Sequence, residues 1–235
     1  MTNNNGSSPL GTVDYRILAR RFAERYNINL DEVPPPPPFN PVDHHLARVQ
    51  DLIEARFPRR FRCAHPSHPG VLRWVQLYLT NREDCPNLLV LGPTGPGKTT
   101  EAYGALRHVL LELAKRGERI TFAAVNHPDF HARLDVSKYD PHHAEAQRML
   151  DNLGQVDLLL FDELSGGKTY DATEIHLYRL VNSRWENQRP MIVTTNLPPD
   201  QLRDLVDERI VSRLADSIQV TMQGPDRRRE RGEVW

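Results

Sequence analysis

From Asn87 onward, short apolar runs alternate with longer stretches in which apolar residues recur at helical spacing. Such alternation is the pattern of a parallel sheet wrapped by helices. A strand covered on both faces must be apolar throughout, whereas a covering helix needs one apolar stripe. The runs Leu88–Leu91 (LLVL), Ile120–Val125, Val156–Phe161 (VDLLLF), Met191–Thr195 (MIVTT) and Ser217–Met222 are the predicted strands. Between them, Lys98–Lys115, a segment that includes Ala144–Leu153, Thr173–Gln188, Asp200–Leu205 and Glu208–Leu214 are the predicted helices.

The N-terminal third reads differently. Residues 1–12 are polar and turn-rich, as in a disordered lead, and Tyr15–Tyr26 spaces Ile17, Leu18, Phe22 and Tyr26 as a short amphipathic helix does. The run Pro34–Pro38 cannot be helical and predicts a stiff polyproline spacer. Two more helices are predicted, Asp43–Phe57, which stops before Pro58, and Val71–Thr80. The expected organisation is therefore a lead, helix and linker over 1–38, a small helical region over 39–84 that is a candidate partner-binding segment, and an α/β domain over 85–235.

Composition narrows this only a little. At 235 residues, 39% apolar and 26% charged, the chain suits a soluble globular protein. No apolar run approaches the roughly 18 residues that span a bilayer, and the start lacks a basic segment and an apolar segment of the secretory kind, so a cytoplasmic protein without a membrane partner is expected. A net charge of −1 conceals two arginine clusters, Arg56, Arg59, Arg60 and Arg62, and Arg227, Arg228, Arg229 and Arg231. Such clusters contact nucleic acid or, more commonly, form a solvated face or tail. Cys63 and Cys85 are too few for a disulfide framework and are expected to be free thiols.

Candidate chemistry begins where LLVL ends. The segment GPTGPGKTT comprises Gly92, Pro93, Thr94, Gly95, Pro96, Gly97, Lys98, Thr99 and Thr100, and it matches G-x-x-x-x-G-K-[ST] between a predicted strand and a predicted helix. Glycines there let successive N–H groups turn inward on phosphate oxygens, aided by the positive end of the following helix. Lys98 is expected on the β- and γ-phosphates and the Thr99 hydroxyl on magnesium, so ATP and Mg²⁺ are the expected cofactors. Asp162 and Glu163 follow VDLLLF at the carboxyl edge of the sheet, where the first suits the metal and the second the attacking water as general base. Asn196 ends MIVTT level with Glu163 and suits water near the γ-phosphate, while Thr194 and Thr195 read as packing and hydrogen-bonding residues. Arg209 and Arg213 share one helix face at i and i+4. One of them could neutralise transition-state charge in a neighbouring subunit of a ring or filament, and the plain alternative is a surface face paired with Asp207 and Glu208. Cys63, His65 and His68 lack a clear fourth ligand for a tetrahedral metal site, and His127, His131, His142 and His143 read as loop residues.

Together with LLLFDEL, the stretch LYRLVNSRWENQRPMIVTTNLPPDQL (Leu177–Leu202), ERIVSRL and GPDRR (Gly224–Arg228), these motifs make the chain from about Asn87 to Arg228 resemble the DnaC/DnaI/IstB family of AAA+ ATPases. The resemblance implies an AAA+ P-loop fold and ATP hydrolysis. It implies a loader that places a hexameric replicative helicase on single-stranded DNA in replication initiation or, in the IstB branch, a helper of a DNA transposase that binds duplex DNA. By the same resemblance Arg213 takes the trans-acting arginine position of a self-assembled ring or filament, and Arg227 or Arg228 a sensor-2-like place, with Arg228 near the nucleotide. A P-loop kinase is the remote alternative. The loop Ser165–Thr173, with Lys168, would approach DNA or a neighbour, or serve only as a flexible connector.

Overall fold

The computed structural model describes residues 15–26, 28–29, 40–137, 139–165, 171–198, 201–202 and 206–226. The chain divides into two compact units, Met1–Phe39 and Asn40–Trp235. In the first, helix α1 (Tyr15–Tyr26) has the bounds its spacing predicts, and Phe22 packs on Tyr26 one turn later with ring centroids 4.6 Å apart. The expected proline spacer lies outside the described residues.

In the second unit, β1 (Leu88–Leu91), β2 (Phe122–Asn126), β3 (Leu158–Leu164), β4 (Met191–Thr195) and β5 (Ile218–Thr221) form one parallel sheet in the order β2-β3-β4-β1-β5. Its helices are α2 (Pro41–Arg56), α3 (Pro69–Thr80), α4 (Lys98–Lys115), α5 (His127–Leu134), α6 (His143–Gln155), α7 (Asp171–Glu186) and α8 (Glu208–Leu214). Of the predicted helix Asp200–Leu205, only Gln201 and Leu202 fall within the described residues.

Side chains alternate between the two faces of each strand, so the apolar runs feed two cores at once. Leu88 and Val90 with Leu158, Leu160, Ile192 and Val220 meet α2, α3 and α4, whereas Leu89 and Leu91 with Leu159, Phe161, Met191 and Val193 meet α5, α6, α7 and α8. Each fully buried leucine contributes roughly 1.5–3 kcal/mol, and β1 is buried along its whole length. This is the three-layer α/β fold of the AAA+ P-loop proteins.

The helices expected within 39–84 share the first of these cores. Val49, Ile53 and Phe57 of the α2 segment and Val71, Trp74, Val75 and Tyr78 of α3 pack with Leu106, Val109 and Leu113 of α4. Helical spacing reveals an apolar stripe but not what covers it. A polar tie fixes the same layer. The buried carboxylate of Glu101 in α4 accepts from the Ser67 N–H (2.9 Å), the Ser67 hydroxyl (2.5 Å) and the His68 N–H (3.1 Å). His68 Nδ1 in turn accepts from the Gly70 N–H at 3.1 Å and caps α3, so the histidine-rich CAHPSHP segment works as a connector.

A second tie comes from Arg184 in α7, only 1% exposed. Its guanidinium donates to the carbonyls of Leu153 (2.7 Å) and Val156 (2.9 Å) at the end of α6, and to that of Pro190 (2.8 Å) just before β4. Burial, with Arg189 beside it, lowers its pKa to about 9, still well above neutrality, so the charge persists and complements the negative end of α6. No helix among the described residues is long and apolar enough to cross a membrane.

Candidate nucleotide site

Three strand ends build the site. β1 runs into the glycine-rich loop, which enters α4 through Gly97 in a left-handed conformation (φ 106°). Gly95 is also left-handed (φ 106°), and a Cβ there would lie 2.4 Å from the Asp226 carboxyl carbon; one on Gly92 would lie 2.2 Å from the Met222 carbonyl oxygen. Glycine is needed at both positions for the backbone angle and for the close approach of the segment after β5. The first N–H groups of α4 have no partner within the helix and face the loop, an arrangement that accepts phosphate.

Lys98 is 8% exposed, and its ammonium donates to the carbonyls of Gly92 (2.8 Å) and Pro93 (2.6 Å) and to Asn196 Oδ1 (2.6 Å). The loop lysine and the asparagine after β4 therefore meet directly. The Thr99 hydroxyl donates to Asp162 Oδ1 at 3.1 Å, bringing together two oxygen groups of the kind magnesium selects. Phosphate and Mg²⁺ thus fit the residues present. Lys98 would meet the phosphates, Thr99 and Asp162 would hold the metal, and the metal would neutralise charge on the transferring group.

Asp162 and Glu163 do not follow β3 as expected but lie within it, because the strand continues past Phe161 to Leu164 through a bulge. Glu163 is exposed and takes φ 64°, a left-handed conformation that costs a non-glycine residue roughly 1–3 kcal/mol. Surrounding hydrogen bonds offset this. Thr194 Oγ1 donates to Asp162 Oδ1 (2.6 Å) and accepts from the Glu163 N–H (2.8 Å), and Thr195 Oγ1 donates to the Leu164 carbonyl (2.6 Å). Both threonines, read from sequence as packing and hydrogen-bonding residues, do hydrogen-bond, and in doing so they shape the acidic pair.

A further contributor escapes the sequence pattern. His127 and His131, expected in a loop, lie on α5, which Asn126 caps by accepting from the Asp129 N–H at 2.7 Å while its amide donates to the Asp129 carboxylate at 2.9 Å. The N-H-P-D run carries that signal as an N-cap asparagine with proline in the first turn. His127 is 7% exposed, its ring stands 5.7 Å from that of Phe161, and its Nδ1 accepts from the Ser165 N–H at 3.1 Å. An amide can only donate, so the ring proton sits on Nε2, which faces His131 Nε2 at 2.8 Å.

Burial, with His131 adding, pushes the His127 imidazole down to about 4, below the ordinary value near 6.5. The unfolded chain binds the proton more readily, so the contribution is complete above pH 6.5 and declines as pH falls from 6.5 towards 4. Denaturant titrations at pH 7.5 and 4.5 are expected to differ by up to about 3 kcal/mol from this group, with His131 and His176, also lowered by burial, adding in the same direction. A stability that holds constant or rises on acidification would contradict a neutral buried imidazole.

The two candidate arginines lie elsewhere. Arg209 is tied to its neighbour Asp207 (2.6 Å), and its guanidinium carbon sits 4.2 Å from the Tyr178 ring centroid. Arg213 donates to Asn182 Oδ1 (2.7 Å) and to the Arg209 carbonyl (2.9 Å), and covers the Trp185 ring at 5.3 Å. It lines a cavity of about 460 Å³ with Cys85, Asn87, Arg184, Trp185, Pro190 and Asp216. Those residues precede β1, β4 and β5 or end α7, so Arg213 stands at the amino edge of a parallel sheet whose carboxyl edge carries Lys98. Arg227, Arg228 and Lys168 lie outside the described residues.

A profile of the IstB-like ATP binding proteins matches residues 76–221, more than half of the chain, and takes in Lys98, Thr99, Asp162, Glu163 and Asn196. The chain belongs to this family. Binding of ATP is the property its description states, and the family profile takes in the strand-loop-helix and the Asp162-Glu163 pair alike. Among solved structures, this IstB-like chain is similar to DnaI, with 21% identity, a TM-score of 0.59 and coverage of 77% of this chain and 99% of that one. It is also similar to the DnaC helicase loader, with 20% identity, a TM-score of 0.58 and coverage of 71% and 100%. At those identities the likeness is one of fold. The chromosomal replication initiator protein DnaA of Streptococcus pyogenes serotype M5 (strain Manfredo) is 28% identical over 145 residues, which is 59% of this chain. The chain spans 30% of the length of that curated relative.

Proposed function

We propose that this chain is an ATP-dependent helicase loader of replication initiation, which binds a hexameric replicative helicase and single-stranded DNA and hydrolyses ATP with Mg²⁺. Lys98 and Asn196 face the phosphates, Thr99 and Asp162 hold the metal, and Glu163 polarises the attacking water. Arg213 completes the site from a neighbouring copy in a ring or filament, and Arg228 joins the nucleotide from the segment after β5. The observation that carries this reading is the division of the charged set between two edges of one sheet. Lys98, Asp162 and Asn196 converge at the carboxyl edge, while Arg213 stands at the other and makes no ion pair among the described residues. Arg209, neutralised by Asp207, is the weaker candidate for the trans role. Likeness in fold to DnaI and to the DnaC helicase loader supports the choice of partner.

The family profile itself favours a second reading, an IstB-like helper that binds duplex DNA and a transposase. Co-elution of the purified chain with the replicative helicase of its own cell, run with ATP and with single-stranded or duplex oligonucleotides, separates the two. Retention on the helicase with a preference for single strands is the expected result. A preference for duplex without helicase retention would replace the loader by the transposition helper.

A further inference from the structure

Each of the three residues after Asp162 has one backbone group held by a side chain from outside β3. The Glu163 N–H donates to Thr194, the Leu164 carbonyl accepts from Thr195, and the Ser165 N–H donates to His127 Nδ1. The first two anchors belong to the adjacent strand. The third comes from α5, so it ties the exit of β3 to a different element. The Ser165 hydroxyl also lies 2.8 Å from the same Nδ1, and the rings of His131 and Phe161 stand 4.4 and 5.7 Å from the imidazole.

What this triplet encloses is Glu163, held left-handed in a bulge with its carboxylate exposed. A strained conformation persists only where its surroundings over-determine it, and its side-chain direction depends on how firmly the chain is held on either side of it. Thr194 fixes the peptide before Glu163, while Thr195 and His127 hold the two ends of a single peptide, Leu164–Ser165, one residue beyond it.

We propose that His127 is a positioning residue for hydrolysis, which acts through Ser165 to aim the Glu163 carboxylate at the attacking water. The proposal rests on Glu163 as the general base. Nucleotide affinity depends on other atoms, those of the loop from Gly92, of Lys98, and of Asp162 with Thr99, none of which His127 touches. Removing the anchor therefore lowers kcat and leaves nucleotide binding in place, a split that general loosening of the fold would not produce.

His127→Leu in the full chain is expected to lower kcat about a hundredfold, the cost of displacing a reacting group by roughly 1 Å, with the Kd for ATP within about twofold of the unaltered chain. His127→Asn presents Oδ1 where Nδ1 stood and is expected to recover most of the lost rate. His127→Gln presents its oxygen one bond farther out and is expected not to. Where the leucine variant loses its near-ultraviolet circular dichroism, the Asn and Gln pair decides, since both keep a polar side chain at the position. Glu163→Gln, measured alongside, tests the general base separately. If that variant is inactive while His127→Leu or His127→Gln keeps kcat within twofold, the positioning role is overturned. If Glu163→Gln itself hydrolyses normally, the base assignment fails instead.

Discussion

Glu163→Gln is expected to lower ATP hydrolysis by roughly 10²- to 10⁴-fold, the usual contribution of a positioned general base, while leaving nucleotide binding close to that of the unaltered chain. The exchange keeps the size of an exposed side chain and leaves its N–H on Thr194, so the bulge retains its anchors. Lys98, Thr99 and Asp162 are untouched, and phosphates and metal are still met. The variant should accumulate in its ATP-bound state, which steady-state phosphate release combined with titration of a fluorescent ATP analogue would detect. Hydrolysis at the normal rate would show that Glu163 is not the base.

Arg213→Ala is expected to abolish most hydrolysis, by about 10³-fold or more if it supplies charge to the γ-phosphate as an arginine finger does. Its position predicts something more specific. Because Arg213 and Lys98 stand at opposite edges of the sheet, the trans role would put the two in different active sites of an assembly. Arg213→Ala chains retain a competent loop, and Lys98→Ala chains retain the arginine. Each is inactive alone, whereas an equimolar mixture should regain activity at about a quarter of its interfaces, from random assortment around a head-to-tail ring or filament. A mixture no more active than its components would remove the trans role. Arg213→Ala hydrolysing normally by itself would do the same.

Much of this site was legible as spacing. The loop from Gly92 to Thr100, the apolar runs on either side of it and the acidic pair after LLLF needed only periodicity and residue chemistry, and the sheet brings Lys98, Asp162 and Asn196 together as that order implies. Other features depend on contacts that a linear pattern does not carry. The bulge at Glu163 comes from register against β4, not from a glycine or proline that would announce it. Arg184 reads as the polar side of an amphipathic helix, yet carbonyls from the end of α6 and from the residue before β4 converge on it and draw it into the interior. His127 reads as a loop residue because Pro128 and the polar residues around it resemble a turn, although Asn126 is also an N-cap signal. Even with that helix assigned, nothing in the sequence would pair it with Ser165, 38 positions away.

The strand order also bears on how the protein is made. β1 lies between β4 and β5, so the strand that leads into the phosphate loop has no hydrogen-bonded neighbour until the chain has grown past Met191. The loop itself rests on Met222 and Asp226, which emerge later still. The whole GPTGPGKTT motif is synthesised more than 100 residues before the Met222 and Asp226 backbone that shapes it, and pairing over such separations is intrinsically slow. Nucleotide therefore cannot chaperone the early chain. It finds its cradle only after the last strand has docked, so that ATP binding by a nascent chain would report completed folding of the sheet.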